Sequence, residues 1–361
     1  MKAAPKRSAK KSPKKVARPG AHKKTGKPVI ATLGSHSALQ ILHGAKQEGF
    51  KTLVIAPGGR ESFYERFPFI DDIMTVRSFA DFPAIEADLL GRNVILIPHG
   101  SFVAHLGVEE NKRLRIPYFG NKAVLDWESD RSLQRRWLQE AQINVPQQFD
   151  AHTDAGMQYP VIVKTYGAAG GKGYFYARDK EDFEQKLHSL GGERHVIQEY
   201  VIGVTLYIHY FCSPLTGMVE ILSMDRRYET NVDSLGRIPL HGQQGLDIEP
   251  SYVVVGNAPL ILRESLLPEA YAMGERVVEA SKHLIGGKGL FGPFCIETII
   301  TPDMKFYAME ISGRIVAGTS LYIDGSPYSA LTYDEPMSTG RRIAREIKLA
   351  IKKKRLGEVL G

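Results

Sequence analysis

Hydrophobic and polar positions first alternate regularly at Pro28, and they predict strands and helices in turn up to about residue 97. Val29–Leu33 has the apolar run of a buried strand; after the turn at 34–37, which ends in a potential N-cap serine, apolar residues recur at helical spacing up to Gly49. Further strands are predicted at 52–55, 73–76 and 94–97, with a helix at 80–90. Such alternation predicts a doubly wound parallel sheet, which binds ligands at the carboxyl ends of its strands.

The pattern changes near Gly120 and then predicts a mostly antiparallel unit. Predicted strands lie at 159–165, 174–177, 196–200, 205–212, 218–222, 294–300 and 306–311, and predicted helices at 129–141, 268–284 and 339–353. We therefore expect a basic tail at 1–27, an α/β domain at 28–120 and an α+β domain at 121–361.

The net charge of +7 belongs to the tail and not to the folded part of the chain. Residues 1–27 contain 11 of the 47 Lys and Arg and no Asp or Glu, which leaves 36 basic against 40 acidic residues in the remainder. A segment so poor in apolar side chains cannot offset its ordering entropy, so we expect it to be disordered. A nucleic-acid-binding arm is the alternative, although the tail has no aromatic residue for base stacking.

The cysteine count and the lengths of the apolar runs argue against a disulfide-rich, membrane-spanning or secreted protein. The two cysteines, Cys212 and Cys295, are too few for a disulfide framework and lie in apolar runs, so we expect both to be buried. No apolar run reaches the roughly 18–20 residues that span a bilayer. The N-terminus has no apolar leader, and we expect a cytoplasmic protein.

Two neighbouring predicted strands near the C-terminus each carry a glutamate, Glu297 and Glu310. A hairpin would place the two carboxylates side by side, where they repel each other unless a cation lies between them. Magnesium prefers such oxygen ligands together with substrate phosphates. Arg314 follows closely and supplies donors for a transferring phosphoryl group. The pair therefore predicts a Mg²⁺ (or Mn²⁺) site; the alternative is two surface glutamates on an edge hairpin.

A glycine-rich run at 166–173 follows the strand predicted at 159–165. Gly170 and Gly171 let backbone N–H groups approach phosphates, and Lys172 adds a mobile positive charge. The run is not a Walker motif, because no Ser or Thr follows Lys172 and the next element is a strand.

The order of these features is more specific than any one of them. A strand-end lysine, a glycine loop with a second lysine, a strand ending in Glu-Tyr-Val and a final Glu-x-Ser-x-Arg resemble the ATP-grasp superfamily from about Asn121 to the C-terminus. Ser312 stands where that motif usually has asparagine. The resemblance implies ATP phosphates at Lys164, Gly170, Gly171 and Lys172, adenine at Glu199, Tyr200 and Val201, and metal at Glu297 and Glu310.

Longer motifs are similar to a narrower family, the archaeal formate-dependent ligases of 5-aminoimidazole-4-carboxamide ribonucleotide (AICAR), also called FAICAR synthetases. They are IATLGSHS at 30–37, GAKQEGF at 44–50, PHGSFV at 98–103, RRYETNVD at 226–233, VGN at 255–257 and RIVAGTSLY at 314–322. This resemblance implies AICAR at Ser35, His36, Ser101 and Asn257, and ATP at Glu229. A turn that opens a helix, as at His36, offers N–H donors to a phosphate.

The family resemblance implies an ADP-forming ligase that makes a C–N bond in purine (IMP) biosynthesis without folate. ATP would phosphorylate formate, and the AICAR amine would attack the resulting formyl phosphate, with Lys172 and Arg314 stabilising the transferring group. The glycine loop is the expected lid. The resemblance also implies a homo-oligomer, either a trimer or a hexamer. Two alternatives remain open: another ATP-grasp carboxylate–amine ligase with a different substrate, and a nucleic-acid-binding protein that uses its tail.

Overall fold

The computed structural model describes residues 26–149, 156–165, 174–188, 190–243, 246, 248, 251 and 253–361. Most of the predicted basic tail, residues 1–25, and the glycine-rich run at 166–173 lie outside the described residues. No helix among the described residues is both long enough and apolar enough to cross a membrane.

The described residues form strands and helices that follow the predicted order closely. The strands are β1 (Val29–Leu33), β2 (Lys51–Pro57), β3 (Asp72–Val76), β4 (Val94–Leu96), β5 (Gln148–Phe149), β6 (Val161–Thr165), β7 (Tyr174–Ala177), β8 (His195–Glu199), β9 (Val204–Cys212), β10 (Val219–Glu229), β11 (Val254–Pro259), β12 (Gly292–Ile300) and β13 (Phe306–Ser312). The α-helices are α1 (Ala38–Gln47), α2 (Glu61–Tyr64), α3 (Phe82–Gly91), α4 (Gly100–Arg113), α5 (Val124–Ser129), α6 (Arg131–Glu140), α7 (Lys180–His188), α8 (Val232–Leu235), α9 (Leu240–Gln243), α10 (Leu267–Leu284), α11 (Pro327–Ala330) and α12 (Thr339–Lys352).

The N-terminal sheet is parallel, with the strand order β3-β2-β1-β4. One face packs against α3 and α4 through Phe82, Leu89 and Phe102. The other face packs against α1 and α12 through Ile41 and Ile343. Because both faces are covered by helices, the predicted doubly wound arrangement is confirmed.

The rest of the described chain forms two antiparallel sheets. Five strands pair in the order β11-β10-β9-β12-β13, and four pair in the order β5-β8-β6-β7. Both predicted glutamates lie in the larger sheet, on adjacent strands. The polar face of this sheet and the carboxyl ends of β1 and β4 therefore supply the two sides of the candidate site.

Several predicted extents were wrong. The helix predicted at 129–141 is divided at Asp130, whose carboxylate accepts the N–H groups of Ser132 (2.8 Å) and Leu133 (2.9 Å) and so begins α6. The strand predicted at 218–222 continues as β10 to Glu229, and α4 and β11 were not predicted. Ser37 does precede α1, but its side chain makes no capping hydrogen bond.

Helix α12 returns the C-terminal part of the chain to the N-terminal sheet by crossing α1. Gly44 and Gly340 mark the crossing: a Cβ at Gly340 would lie 2.3 Å from the carbonyl oxygen of Gln40. A Cβ at Gly44 would lie 2.1 Å from the backbone nitrogen of Arg341. Helix α1, which follows the His36 turn, is therefore packed against α12 near the C-terminus. The domain division at residue 120 stays a prediction.

Glu48 follows α1 and is buried against three cations of α12. It accepts hydrogen bonds from Arg341 (2.9 Å), Arg345 (2.5 Å) and Lys348 (3.0 Å). Burial alone would raise the pKa of Glu48, but these hydrogen bonds outweigh burial and lower it from 4.5 to about 2.

We expect Glu48→Gln to lower the free energy of unfolding by about 2–3 kcal/mol at pH 7, because it leaves the three cations without their shared anion. A carboxylate with a lowered pKa stabilises the fold fully above its unfolded pKa, near 4.5, and loses that contribution as the pH falls through about 2. Urea unfolding at several pH values should therefore show the gap between wild type and variant closing from pH 4.5 to pH 2. A gap that does not depend on pH would contradict this assignment.

Candidate active site

The two predicted metal ligands face each other across the β12–β13 hairpin. Glu297 is the direct cross-strand partner of Glu310, next to a register shift between Glu297 and Thr298. The pKa of Glu297 is raised to about 7, first by burial and then by the Glu310 carboxylate, while Arg227 opposes the rise. The predicted hairpin geometry is confirmed, and it concentrates negative charge in a partly buried place.

The donor set at this hairpin fits Mg²⁺ or Mn²⁺. A divalent cation between two neighbouring carboxylates removes the repulsion between their charges. Ser312 is buried on the same face of β13 as Glu310, two residues further along the strand. The structure describes no group of three or more His, Cys, Asp or Glu side chains that could hold a metal. Such a small protein donor set suits a cation that takes its other oxygen ligands from phosphate and water.

The predicted ATP-binding residues lie on the smaller sheet and on β10. Lys164 on β6 has a pKa lowered to about 8, chiefly by burial and then by Arg131, while Glu310 and Glu297 oppose the fall. The structure therefore brings Lys164 into the field of the carboxylate pair. Gly170, Gly171 and Lys172 lie outside the described residues.

Glu199 lies at the strand end predicted to bind adenine, and its side chain contacts the neighbouring segment of the chain. The Glu199 carboxylate accepts the backbone N–H of Gln147 (3.0 Å), so its side chain holds the neighbouring strand. Val201 is buried, and the Tyr200 ring packs edge-on against Tyr176 at 4.9 Å between centroids. Glu229 lies at the end of β10, where burial is the main cause of its raised pKa. An adenine contact at these residues stays a prediction.

The opposite side of the cleft is made by the turns after β1 and β4. The Ser101 hydroxyl donates to the Ser35 hydroxyl at 3.0 Å. The His36 ring stacks parallel to the ring of His99, with centroids 5.2 Å apart. His36 has φ +53°, an uncommon conformation for a residue other than glycine, and such strain is most often kept at functional sites. The structure therefore brings together three of the four residues predicted to bind AICAR.

His36 is exposed to the cleft, and its neighbours disfavour a positive charge on the ring. Its pKa is lowered, because the cleft removes water from the ring and because His99, Arg314 and Arg227 disfavour a further charge. Its Nδ1 lies 2.7 Å from the Ser37 hydroxyl. In the protein without ligand, His36 can therefore offer one N–H group from its ring.

His99 was not predicted as a site residue, but it holds the turns after β1 and β4 in place. It is fully buried; its Nε2 donates to the Leu33 carbonyl (3.0 Å) and its Nδ1 accepts the Ser101 N–H (3.3 Å). With both nitrogens in use as donor and acceptor, the ring is neutral, which agrees with a pKa lowered to about 4, chiefly by burial. Its place in the PHGS motif, two residues before Ser101, was the available signal.

Arg314 joins the two sides of the cleft. Its Nη2 pairs with Glu128 at 2.8 Å, and its Nη1 would lie 3.3 Å from a Cβ at Gly100. The second Glu128 oxygen accepts the Gly313 N–H (3.0 Å). The predicted arginine is thus held in place by a buried carboxylate that the sequence gave no reason to select.

Asn257 sits at the end of a buried polar chain. Its Nδ2 donates to Asp225 Oδ2 (2.6 Å), and Asp225 Oδ1 lies 2.5 Å from His209 Nε2. Asp225 is fully buried. Because the amide nitrogen is bound to Asp225, the amide oxygen is left to accept from a ligand. Sequence reasoning missed Asp225 and His209, since each looks like an ordinary polar residue in a strand.

The chain has the fold of the ATP-grasp ligases. The structure is similar to the ADP complex of an N5-carboxyaminoimidazole ribonucleotide synthetase, with a TM-score of 0.63 and 15% sequence identity over 88% of this chain and 76% of that one. It is also similar to a crystal structure of an IMP biosynthesis protein PurP from Thermococcus kodakaraensis, with a TM-score of 0.75 and 32% identity over 92% of this chain and all of that one.

Sequence comparison narrows the class to one family. Residues 30–149 and 176–361 match family models described as a protein of unknown function (DUF1246) and a domain of unknown function (DUF1297). The chain is 53% identical to the 5-formaminoimidazole-4-carboxamide-1-(beta)-D-ribofuranosyl 5'-monophosphate synthetase of Pyrococcus horikoshii, over 92% of this chain and 99% of the relative. It is 48% identical to the protein of the same name from Cenarchaeum symbiosum, again over 92% of this chain. The chain belongs to this synthetase family, as the resemblance in its motifs predicted.

Proposed function

We propose that the protein formylates AICAR to FAICAR with ATP and formate, as an ADP-forming ligase of purine biosynthesis. The observation that carries the proposal is the Glu297–Glu310 pair on one side of a cleft whose other side is formed by Ser35, His36 and Ser101. Membership of the synthetase family supports the same reaction. The homo-oligomer, a trimer or hexamer, stays a prediction from the resemblance.

In the first step a formate oxygen attacks the γ-phosphorus of ATP and ADP leaves, which gives formyl phosphate. Glu297 and Glu310 would hold Mg²⁺ or Mn²⁺, which neutralises phosphate charge. Lys164 lies in the field of this pair and would hold the ATP phosphates. Lys172 is proposed to reach the transferring group from the glycine loop.

In the second step the AICAR amine attacks the formyl carbon and loses a proton, and phosphate leaves with the formate oxygen that had attacked phosphorus, while the other formate oxygen stays on the formyl carbon. Ser35, Ser101 and His36 would bind the AICAR phosphate, and the amide oxygen of Asn257 would accept an N–H of the base. Arg314, held by Glu128, would stabilise negative charge as it develops. Formyl phosphate hydrolyses readily, so the site must exclude water during both steps.

The proposed function is tested by a folate-free assay with ATP, MgCl₂, formate and AICAR. We expect FAICAR and ADP in equal amounts, and neither product when formate is omitted. Parallel reactions with bicarbonate or acetate in place of formate test for a different carboxylate–amine ligase. A folded protein that binds ATP and consumes one of these other acids, but makes no FAICAR, would overturn the proposal.

His36→Ala should raise the KM for AICAR by about tenfold to a hundredfold, because it removes one hydrogen-bond donor and the ring that lines the phosphate site. The KM for ATP should change little, since the ATP residues lie on other strands. Steady-state kinetics with each substrate varied in turn measure both constants. An unchanged KM for AICAR would place the phosphate elsewhere.

A further inference from the structure

Arg227 lies between the two halves of the site, and none of the roles above uses it. It is on β10, as the cross-strand partner of Asn257 on β11. Its Nη2 pairs with Glu297 Oε1 at 2.8 Å. It also contributes to the lowered pKa of His36, so its charge is felt on the AICAR side of the cleft. Arg227 thus pairs with one carboxylate of the predicted metal pair, is the cross-strand partner of Asn257, and lies near enough to His36 to affect its pKa.

The guanidinium is fixed in position before any ligand binds. Its Cζ lies 3.6 Å from the centroid of the Tyr207 ring, in a cation–π contact, and its side chain is 19% exposed. Tyr207 is itself the cross-strand partner of Glu297. Because ring and carboxylate hold the group from two sides, little entropy is lost when the group binds an anion.

Arg227 also has more N–H donors than its contact with Glu297 uses. A guanidinium carries five N–H donors, and Glu297 is the single carboxylate that the described part of the chain places within 4.0 Å of it. One such partner leaves N–H groups available for a second anion. The side chain also keeps 19% of its surface exposed, so it is not closed off from a small anion.

The reaction fixes where the one-carbon acid must lie, and this step rests on the proposed function. One formate oxygen must reach the γ-phosphate beside Glu297 and Glu310, and the carbon must then be reached by the amine of AICAR bound near Asn257. Formate therefore lies between these groups, at the place that Arg227 occupies. Formate has no side chain to recognise, so binding depends on its two oxygens, for which a guanidinium provides two parallel donors.

We propose that Arg227 forms the formate subsite: it binds the carboxylate, and it then holds the oxygen that remains on the formyl carbon. In the first step the other oxygen forms the bond to phosphorus. In the second step the amine adds to the carbon, the held oxygen takes up negative charge, and the C–O bond to phosphate breaks. Donors aimed at that oxygen stabilise the intermediate more than the ground state.

The variant Arg227→Gln tests the proposal, with Arg227→Lys as a second variant that keeps the charge. We expect Arg227→Gln to raise the KM for formate by about 100-fold, because two charge-assisted hydrogen bonds are lost, and to change the KM values for ATP and AICAR by less than about threefold. Arg227→Lys should fall between wild type and Arg227→Gln. In Arg227→Ala, added guanidinium ion should restore formate use.

Arg226→Gln is the matched control. Arg226 is adjacent on the same strand, but it is 53% exposed and pairs with Asp233 at 3.5 Å, so its loss should leave the KM for formate unchanged. Line broadening of ¹³C-formate on addition of protein, ADP and Mg²⁺ measures the subsite without turnover, and it should be lost in Arg227→Gln.

A KM for formate within threefold of wild type in Arg227→Gln would overturn the inference. So would an equal rise in the KM values for formate and for ATP, because Arg227 would then only balance the charge of Glu297. Absence of FAICAR with wild-type protein is a different result, which would overturn the proposed function itself.

Discussion

Glu310→Gln should reduce turnover by about 10³-fold, as expected when a group that stabilises the transferring phosphoryl charge is removed. Glutamine keeps the shape of the side chain but loses the charge that would hold the divalent cation. The fold should be retained, because the β12–β13 pairing is made by the backbone and the change relieves repulsion with Glu297. FAICAR formation, Mn²⁺ titration calorimetry and thermal unfolding measure activity, metal affinity and stability separately.

Asp303→Asn is the matched control, because Asp303 is an exposed carboxylate in the turn of the same hairpin. It should keep wild-type activity and metal affinity. If Glu310→Gln also bound Mn²⁺ and turned over like wild type, the metal assignment would be wrong.

Gly340→Ala should lower the free energy of unfolding by about 3 kcal/mol or more, because α1 and α12 have no room for a Cβ at their crossing. The added atom would lie 2.3 Å from the Gln40 carbonyl oxygen, which belongs to helix backbone and cannot rotate away. Urea unfolding measures this loss. Since α1 follows directly on His36, and Gln40 hydrogen-bonds Thr319, the folded fraction should also bind AICAR more weakly.

Gly91→Ala provides the comparison. Gly91 ends α3, and a Cβ there would meet no atom within 4 Å. Alanine is the better helix former, so this variant should be as stable as wild type or slightly more stable. Equal stability of both alanine variants would show that the helix crossing tolerates a wider spacing.

Sequence reasoning performed best where a pattern is local. The alternation of strands and helices predicted the parallel sheet, and the two C-terminal apolar runs predicted the hairpin that pairs Glu297 with Glu310. It failed where local composition is atypical. Strand β11 has the sequence VVGNAP, and helix α4 begins with a glycine and has a second, Gly107, at φ +76° in its interior.

The residues that support the site could not be predicted from the sequence, because their partners are distant along the chain. Asp225 contacts His209 and Asn257, which lie 16 and 32 positions away. Arg314 depends on Glu128, and Gln40 bonds Thr319, which lies 279 positions further along the chain. Each of these polar residues looks unremarkable within its own segment.

The sequence by itself determined the fold class, the order of most of the strands and the residues that carry the family's motifs. Only the tertiary structure decided that Arg227, Tyr207 and Glu297 meet on one sheet face, and that α12 crosses α1. The physical reason is that residue periodicity sets which side chains share a face of one strand or helix. Which strands then lie side by side, and which faces meet, is set by long-range packing and burial.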